Sequence, residues 1–313
     1  MKRAIKLSRS SRRPKKKAPK APIAVLVSLL AVLSTVFLLL ASVLATAGVA
    51  AYRYYNSVVP DGIAALRAYQ DNPYTISLIT NRNGDTLEQL YDPKFGTRVL
   101  VPLKSVPNVM IDATIDTENR TFYTDIGVDP IRTLSAAKTD FTQSGGLQGG
   151  STLTEQLVKL ALFGSNPTTP RALDQNGIQK KLHEIMVAIG VTRDIKDCSL
   201  KCRKDAILEM YLNTVSYGSA GGDINGVEAA EEYFFGIHTS KLDLAESAML
   251  AGLPQAPSQY DPRGNMEAAK ARQLHVLNGM LTAGDTTKAQ FDAAKAERLN
   301  YKYKLTSTNS SVM

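Results

Sequence analysis

Residues 148–163, QGGSTLTEQLVKLALF, hold the reading that decides the fold. Thr152 and Glu155 stand at capping-box spacing, where a hydroxyl and a carboxylate three residues apart satisfy each other's free backbone N–H groups. Leu153, Leu157, Leu160 and Ala161 then recur on one face at helical spacing. The pattern continues downstream. Residues 178–192 place Leu182, Ile185, Met186 and Ile189 on one side, and 205–213 form a further helix. Val227–Phe235 stops at Gly236, 243–252 ends ahead of Pro254, and 265–283 ends at Gly284. No period of about 20–50 residues repeats. Upstream the signal changes. Tyr74–Thr80 and Thr86–Tyr91 flank Asn83-Gly84, a pair that tolerates the positive φ of a tight turn, which predicts a β-hairpin. Val99–Pro102 offers a third strand, and residues 56–73, with Pro60, Gly62 and Pro73, read as a stalk. The expected class is mainly α with a small β-hairpin element.

Charge and hydropathy divide the chain further. Of 37 Lys and Arg, ten lie in residues 1–20, which contain no acid; the remainder carries 27 basic against 29 acidic residues. The overall +8 is a property of a short tail, so a nucleic-acid-binding domain is not indicated. No charged residue occurs from Ala21 to Tyr52. That run exceeds both the roughly 20 residues needed to span a bilayer and the apolar core of a cleavable signal peptide, even with Ala45-Thr46-Ala47 as a candidate cleavage site. One N-terminal transmembrane helix is expected, with the basic end in the cytoplasm and the later residues on the outer face of the cytoplasmic membrane. A soluble cytoplasmic enzyme is excluded by this reading. The segments are a basic tail (1–20), an anchor (21–52), stalk and hairpin (53–105), a helical domain (106–285), and a helix remnant with a disordered tail (286–313).

Several chemistries fail on spacing. His183, His238 and His275 lack paired zinc-ligand intervals. Cys198 and Cys202 read as a short disulfide loop or two thiols, the disulfide preferred outside the membrane. Ser135-Ala-Ala-Lys138 matches Ser-x-x-Lys of acyl-transferring serine enzymes, but no Lys-Thr-Gly partner occurs. Two segments are stronger. In ATIDTENRTFYTDIGVD (113–129) an acid, Glu118, sits beside aromatics and runs into a glycine turn. In 148–159, Gly149 and Gly150 allow close backbone approach, and Ser151 and Thr152 sit where a helix start exposes N–H groups to an anion, with Lys159 about two turns on. Taken singly, Glu118 is equally a solvated acid and Gly-Gly-Ser-Thr a plain helix start.

Their order is distinctive. The Glu118 segment, Gln148–Lys159, Lys180-Lys181-Leu-His-Glu184, Ile207–Asn213, Gly226–Phe234 and Leu244–Pro254 together resemble the peptidoglycan glycosyltransferase family, glycosyltransferase family 51. That family comprises the transglycosylase modules of class A penicillin-binding proteins and the monofunctional transglycosylases. The resemblance implies a lysozyme-like, mainly α-helical domain that polymerises lipid II into β-1,4 glycan strands with inversion, releasing undecaprenyl pyrophosphate. It also implies Glu118 as general base and Glu184 as the second catalytic acid, organising cations or a Mg or Mn ion at the pyrophosphate. Gln148, Gly150, Ser151, Thr152, Gln156, Lys159, Lys180 and Lys181 become candidate substrate-binding residues. Implied partners are lipid II, the growing glycan strand, the cytoplasmic membrane and a separate transpeptidase or other cell-wall synthesis proteins, with no nucleic acid; the stretch after Gly284 is too short for a transpeptidase domain.

The chain departs from the family pattern in particular places. Asn119 replaces an Asp, Asp125 a His, Ser135 an Arg, Glu155 the first of two Gln, and Lys180 the Arg of an Arg-Lys pair. These changes weaken pyrophosphate binding more than they weaken the base. A catalytically weak lipid II- or glycan-binding scaffold is therefore the alternative to an active polymerase, and a Ser-x-x-Lys acyl transferase a remoter one.

Overall fold

The computed structural model describes residues 21–71, 77–83, 86–90, 97–131, 150–163, 177–219 and 223–303. The chain divides into two compact units, residues 1–54 and 55–313. In the first unit, helix α1 (Ala21–Asp71) begins as an apolar rod whose Leu29, Leu33, Phe37 and Leu44 side chains are all exposed. It is long and apolar enough to cross a membrane.

The second unit is mainly helical. Its elements are β1 (Ser77–Thr80), β2 (Thr86–Leu90), β3 (Thr97–Arg98), α2 (Asn108–Glu118), α3 (Leu153–Phe163), α4 (Ile178–Asp194) and α5 (Leu200–Leu212). They are followed by β4 (Ser216–Ser219), β5 (Asp223–Asn225), α6 (Val227–Phe234), α7 (Leu244–Gly252), α8 (Met266–Ala283) and α9 (Lys288–Ala296). The expected capping box forms at Thr152/Glu155, and another forms at Asp243/Glu246. Gly284 closes α8 in the left-handed conformation, φ 93°. Two helix trios result: α2, α7 and α8 pack on one another, as do α3, α4 and α5.

Two expectations change, and two hold. Residues 56–71 are not a stalk but the end of α1, and Val59, Ile63 and Leu66 are buried in the core of the second unit. Pro60 and Gly62 read as breakers, yet Gly62 is where α1 meets α4: a Cβ there would lie 2.7 Å from Val187. At Gly190 of α4 a Cβ would lie 2.2 Å from Val59, so helix contact outweighs local propensity. The hairpin is present, with β1 antiparallel to β2 and Ile79 opposite Glu88. The third strand is Thr97–Arg98, not Val99–Pro102, and it joins a different sheet of order β3-β5-β4, parallel to β5. Cys198 and Cys202 form the disulfide, with Cα atoms 6.0 Å apart.

Candidate active site

Glu118 is the last residue of α2, where the helix gives way to an extended Asn119 and the side chain is released toward α3. Gln156 Nε2, from the first turn of α3, donates to Glu118 Oε2 at 2.8 Å. The amide cannot be reversed without loss, because its Oε1 accepts from the Tyr211 hydroxyl at 3.2 Å. Tyr211 is fully buried on α5; burial, and then the nearby Glu118 charge, pushes its phenol well above the ordinary range, so it stays a donor. On the other oxygen, Arg272 Nη2 of α8 lies 3.6 Å from Oε1. Arg272 is itself held by Nε donating to Gly252 O at 3.1 Å. Glu118 thus bridges the two helix trios, its side chain only 12% exposed. Neither Arg272 nor Tyr211 was assigned a role from sequence. Tyr211 falls inside a family-like motif, whereas Arg272 lies on a helix whose local pattern signals only packing.

One residue before Gln156, Glu155 points elsewhere. Its Oε2 accepts from Thr152 N at 2.8 Å, completing the cap, and its Oε1 lies 2.8 Å from Lys181 Nζ. Lys181 also donates to Ser151 Oγ at 3.0 Å and pairs with Glu184 Oε2 at 3.3 Å. Ser151, Glu155, Lys181 and Glu184 therefore form one cluster at the start of α3, with Thr152 fixed below it through Oγ1 to Gly127 O at 2.6 Å. Gly150 immediately precedes the cluster and is half-buried. Gln148, Gly149 and Ser135-Lys138 lie outside the described residues.

The other two lysines do not join this cluster. Lys180 Nζ stacks over the Phe163 ring at 4.8 Å from its centroid, and Phe163 packs edge-on against buried His183. Lys159 is exposed and makes no ion pair among the described residues. Two carboxylates against one ammonium leave the cluster with a formal charge of about −1, a poor receptor for a pyrophosphate on its own. It is a reasonable one for a hard divalent ion, which prefers carboxylate oxygens completed by substrate phosphates. The described residues whose ligand atoms all lie within 4.8 Å of one another are Glu228, Glu232 and His238, a set that does not include Glu184. That trio already has an internal explanation: His238 Nδ1 and Glu228 Oε1 pair at 2.5 Å.

Two departures from the family pattern prove to be one device. Asn119 Nδ2 donates to Asp125 Oδ2 at 2.7 Å, and Asp125 Oδ1 pairs with Lys204 Nζ at 2.6 Å. Lys204 is fully buried on α5, and burial, partly offset by Asp125, lowers its pKa from the usual lysine value. The turn after α2 is therefore tied directly to the helix that carries Tyr211.

The family model described as Transglycosylase matches residues 83–281 of this chain. Penicillin-binding protein 1A of Escherichia coli strain K12 is 33% identical over 253 residues, covering 80% of this chain and 27% of that protein. Penicillin-binding protein 1A of Vibrio cholerae is 35% identical over 254 residues, covering 80% and 28%. Penicillin-binding protein 1A/1B of Bacillus subtilis strain 168 is 34% identical over 223 residues, covering 71% and 22%. The chain spans about a quarter of the length of these relatives.

Proposed function

The chain belongs to the transglycosylase family, and from that premise we propose that it is a membrane-anchored peptidoglycan glycosyltransferase that polymerises lipid II into glycan strands. A sugar hydroxyl is too weakly acidic to attack unaided, so a fixed carboxylate must take its proton as the new C–O bond forms. Glu118 has the required fixity: Gln156 and Arg272 hold it from opposite trios, with Tyr211 locking Gln156. That clamp is the observation that carries the reading.

The departing lipid pyrophosphate needs positive charge where its own negative charge grows. Lys181, steadied by Ser151, Glu155 and Glu184, is the ammonium assigned to it, with Lys180 and Lys159 as further cations. Glu184, helped by Glu155, would hold a Mg or Mn ion, which when bound would neutralise phosphate charge. Gly150 lets the donor approach the backbone closely, and Thr152, bonded to Glu155 and Gly127, holds the helix start in place behind it. Displacement in one step inverts the anomeric centre.

The apolar start of α1 suits an anchor for an enzyme whose substrate sits in the bilayer, and the basic tail suits a cytoplasmic N-terminus. A partner transpeptidase would then cross-link the strands. The test is incubation of the full chain with lipid II and Mg²⁺ in membranes, read as polymer on a gel. Glu118→Gln is expected to lower the rate by at least about 100-fold, the usual size of a lost general base, with unchanged circular dichroism. The second reading, a lipid II-binding scaffold, is favoured by the net negative cluster around Lys181. It prevails if the wild type binds lipid II tightly yet makes no polymer.

A further inference from the structure

The direction of the Glu118 side chain depends on its own partners and on where α2 ends, and residues outside the proposed catalytic set govern the second. Asn119, directly after Glu118, is fully buried, and its Nδ2 donates to Asp125 Oδ2 at 2.7 Å. Its Oδ1 accepts from the Thr121 hydroxyl at 3.0 Å, and its carbonyl accepts from Phe122 N at 2.9 Å, so the turn is bonded within itself. Asp125 Oδ1 then links the turn to Lys204 Nζ on α5, at 2.6 Å. Lys204 is fully buried, with its ammonium 4.7 Å from the centre of the equally buried Phe122 ring. Tyr123 also reaches α5, its hydroxyl donating to Asp205 Oδ1 at 2.9 Å, but Asp205 is nearer the surface and shared with Lys201. Lys204 and Tyr211 stand about two turns apart on α5 and share a face. Tyr211 reaches the Glu118 carboxylate through Gln156, while Lys204 reaches the main chain beside it through Asp125 and Asn119. One helix therefore holds both ends of the same residue.

We propose that Lys204 is a positioning residue for the reaction: it fixes the end of α2 against α5 and thereby aims the Glu118 carboxylate. This role rests on Glu118 being the general base. Burying an ammonium is costly, and apolar side chains of equal size often hold a fold as firmly as a buried ion pair does. What the charged pair adds is direction, because its hydrogen bonds fix the turn at a stated distance and angle. Direction matters here, since a misplacement of about 1 Å at a reacting group costs on the order of 100-fold in rate.

The test compares two variants of the full chain in membranes, assayed on lipid II and Mg²⁺ for kcat and KM, with melting midpoints measured alongside. Asp125→Asn keeps an oxygen for the Lys204 ammonium and, once the Asn119 amide turns over, a bond to Asn119. The link to α5 survives, but the ammonium loses its counter-charge and stability falls. Adding Lys204→Met removes the stranded charge and the link together. The double variant is expected to melt higher than Asp125→Asn, yet to turn over about 10- to 100-fold more slowly than wild type at unchanged KM. Asp125→Asn should keep most of the wild-type kcat. Activity then runs opposite to stability, which a merely structural role does not produce. Should Asp125→Asn fail to fold, the double variant is read against wild type by the same kcat loss at unchanged KM. A double variant with wild-type kcat or no fold, an equal loss in both variants, a change confined to KM, or activities that follow the melting midpoints would overturn the role of Lys204 and leave the polymerase reading intact. A wild type that makes no polymer overturns both.

Discussion

Asp125 carries three donors: the Asn119 amide, the Lys204 ammonium and its own turn's Gly127 N–H at 2.8 Å. Removing one partner of a buried pair strands a charge, so Lys204→Met alone should cost about 3–5 kcal/mol in denaturant unfolding. Lys204→Met combined with Asp125→Asn should recover much of that loss, and strict additivity of the two would contradict a shared network. In sequence, Asn119 and Asp125 look like two separate departures, because Lys204 lies 79 positions on and a helix lysine is normally a surface residue. Glu155 is a similar case. Its position at the helix start is legible as a cap, but its claim on Lys181 depends on α4 arriving beside α3. Glu155→Gln keeps an acceptor for the Thr152 N–H while releasing Lys181 from one of two carboxylates. Polymer formation by this variant should fall about tenfold with little change in stability, because Lys181 and an ion at Glu184 lose one of the carboxylates that hold them. An unchanged or raised rate would mean that Glu155 restrains Lys181 instead of positioning it.

At the scale of elements, what was legible depended on whether the signal was local. Capping boxes, glycine stops and the Asn-Gly turn act over four residues, so α3, α7, α8 and the hairpin stand where their sequences place them. Strand β3 has no such signal: Thr97 and Arg98 pair with Ile224 and Asn225, and only the folded chain brings these together. The same holds for the end of α1, whose Pro60 and Gly62 favour a break locally while Val59 and Val187 demand close helices globally. Gly190→Ala tests that contact. The added methyl would gain up to about 1 kcal/mol of helix propensity but must displace the Val59 side chain. A net loss of about 1–2 kcal/mol is expected, and Val59→Ala in the same chain should rescue part of it. A stabilised Gly190→Ala protein would show that the α1–α4 contact is looser than the close approach implies.

Across the whole second unit, acids whose protons burial holds in place set how stability responds to pH. Glu231 on α6 is completely buried, and burial with the Glu228, Glu246 and Asp243 charges, partly offset by the Thr239 hydroxyl, pushes its carboxyl from 4.5 up to about 9. Asp116 on α2 is pushed from 3.8 up to about 7 by burial and by Asp285. An acid whose pKa rises on folding holds its proton more tightly in the native chain. Its contribution is complete below the unfolded value and is lost as pH climbs to the folded one. Stability should therefore decline across pH 4.5–9 from Glu231, with Asp116 acting only up to about 7. His183 and His275, lowered by burial, act in the opposite direction but have finished by their ordinary value of 6.5. His238, raised by its bond to Glu228, adds to the decline above 6.5, whereas Lys204 and Lys270, lowered by burial, oppose it, so the Glu231 share over pH 7.5–9 is read as the difference between wild type and Glu231→Gln. In denaturant titrations of the full chain that difference should exceed about 1.4 kcal/mol, the equivalent of one unit of displacement. Glu231→Gln, which carries no proton to lose, should flatten the profile. A profile that Glu231→Gln leaves unchanged over that window would mean that Glu231 is already ionised in the native chain and has a counter-charge.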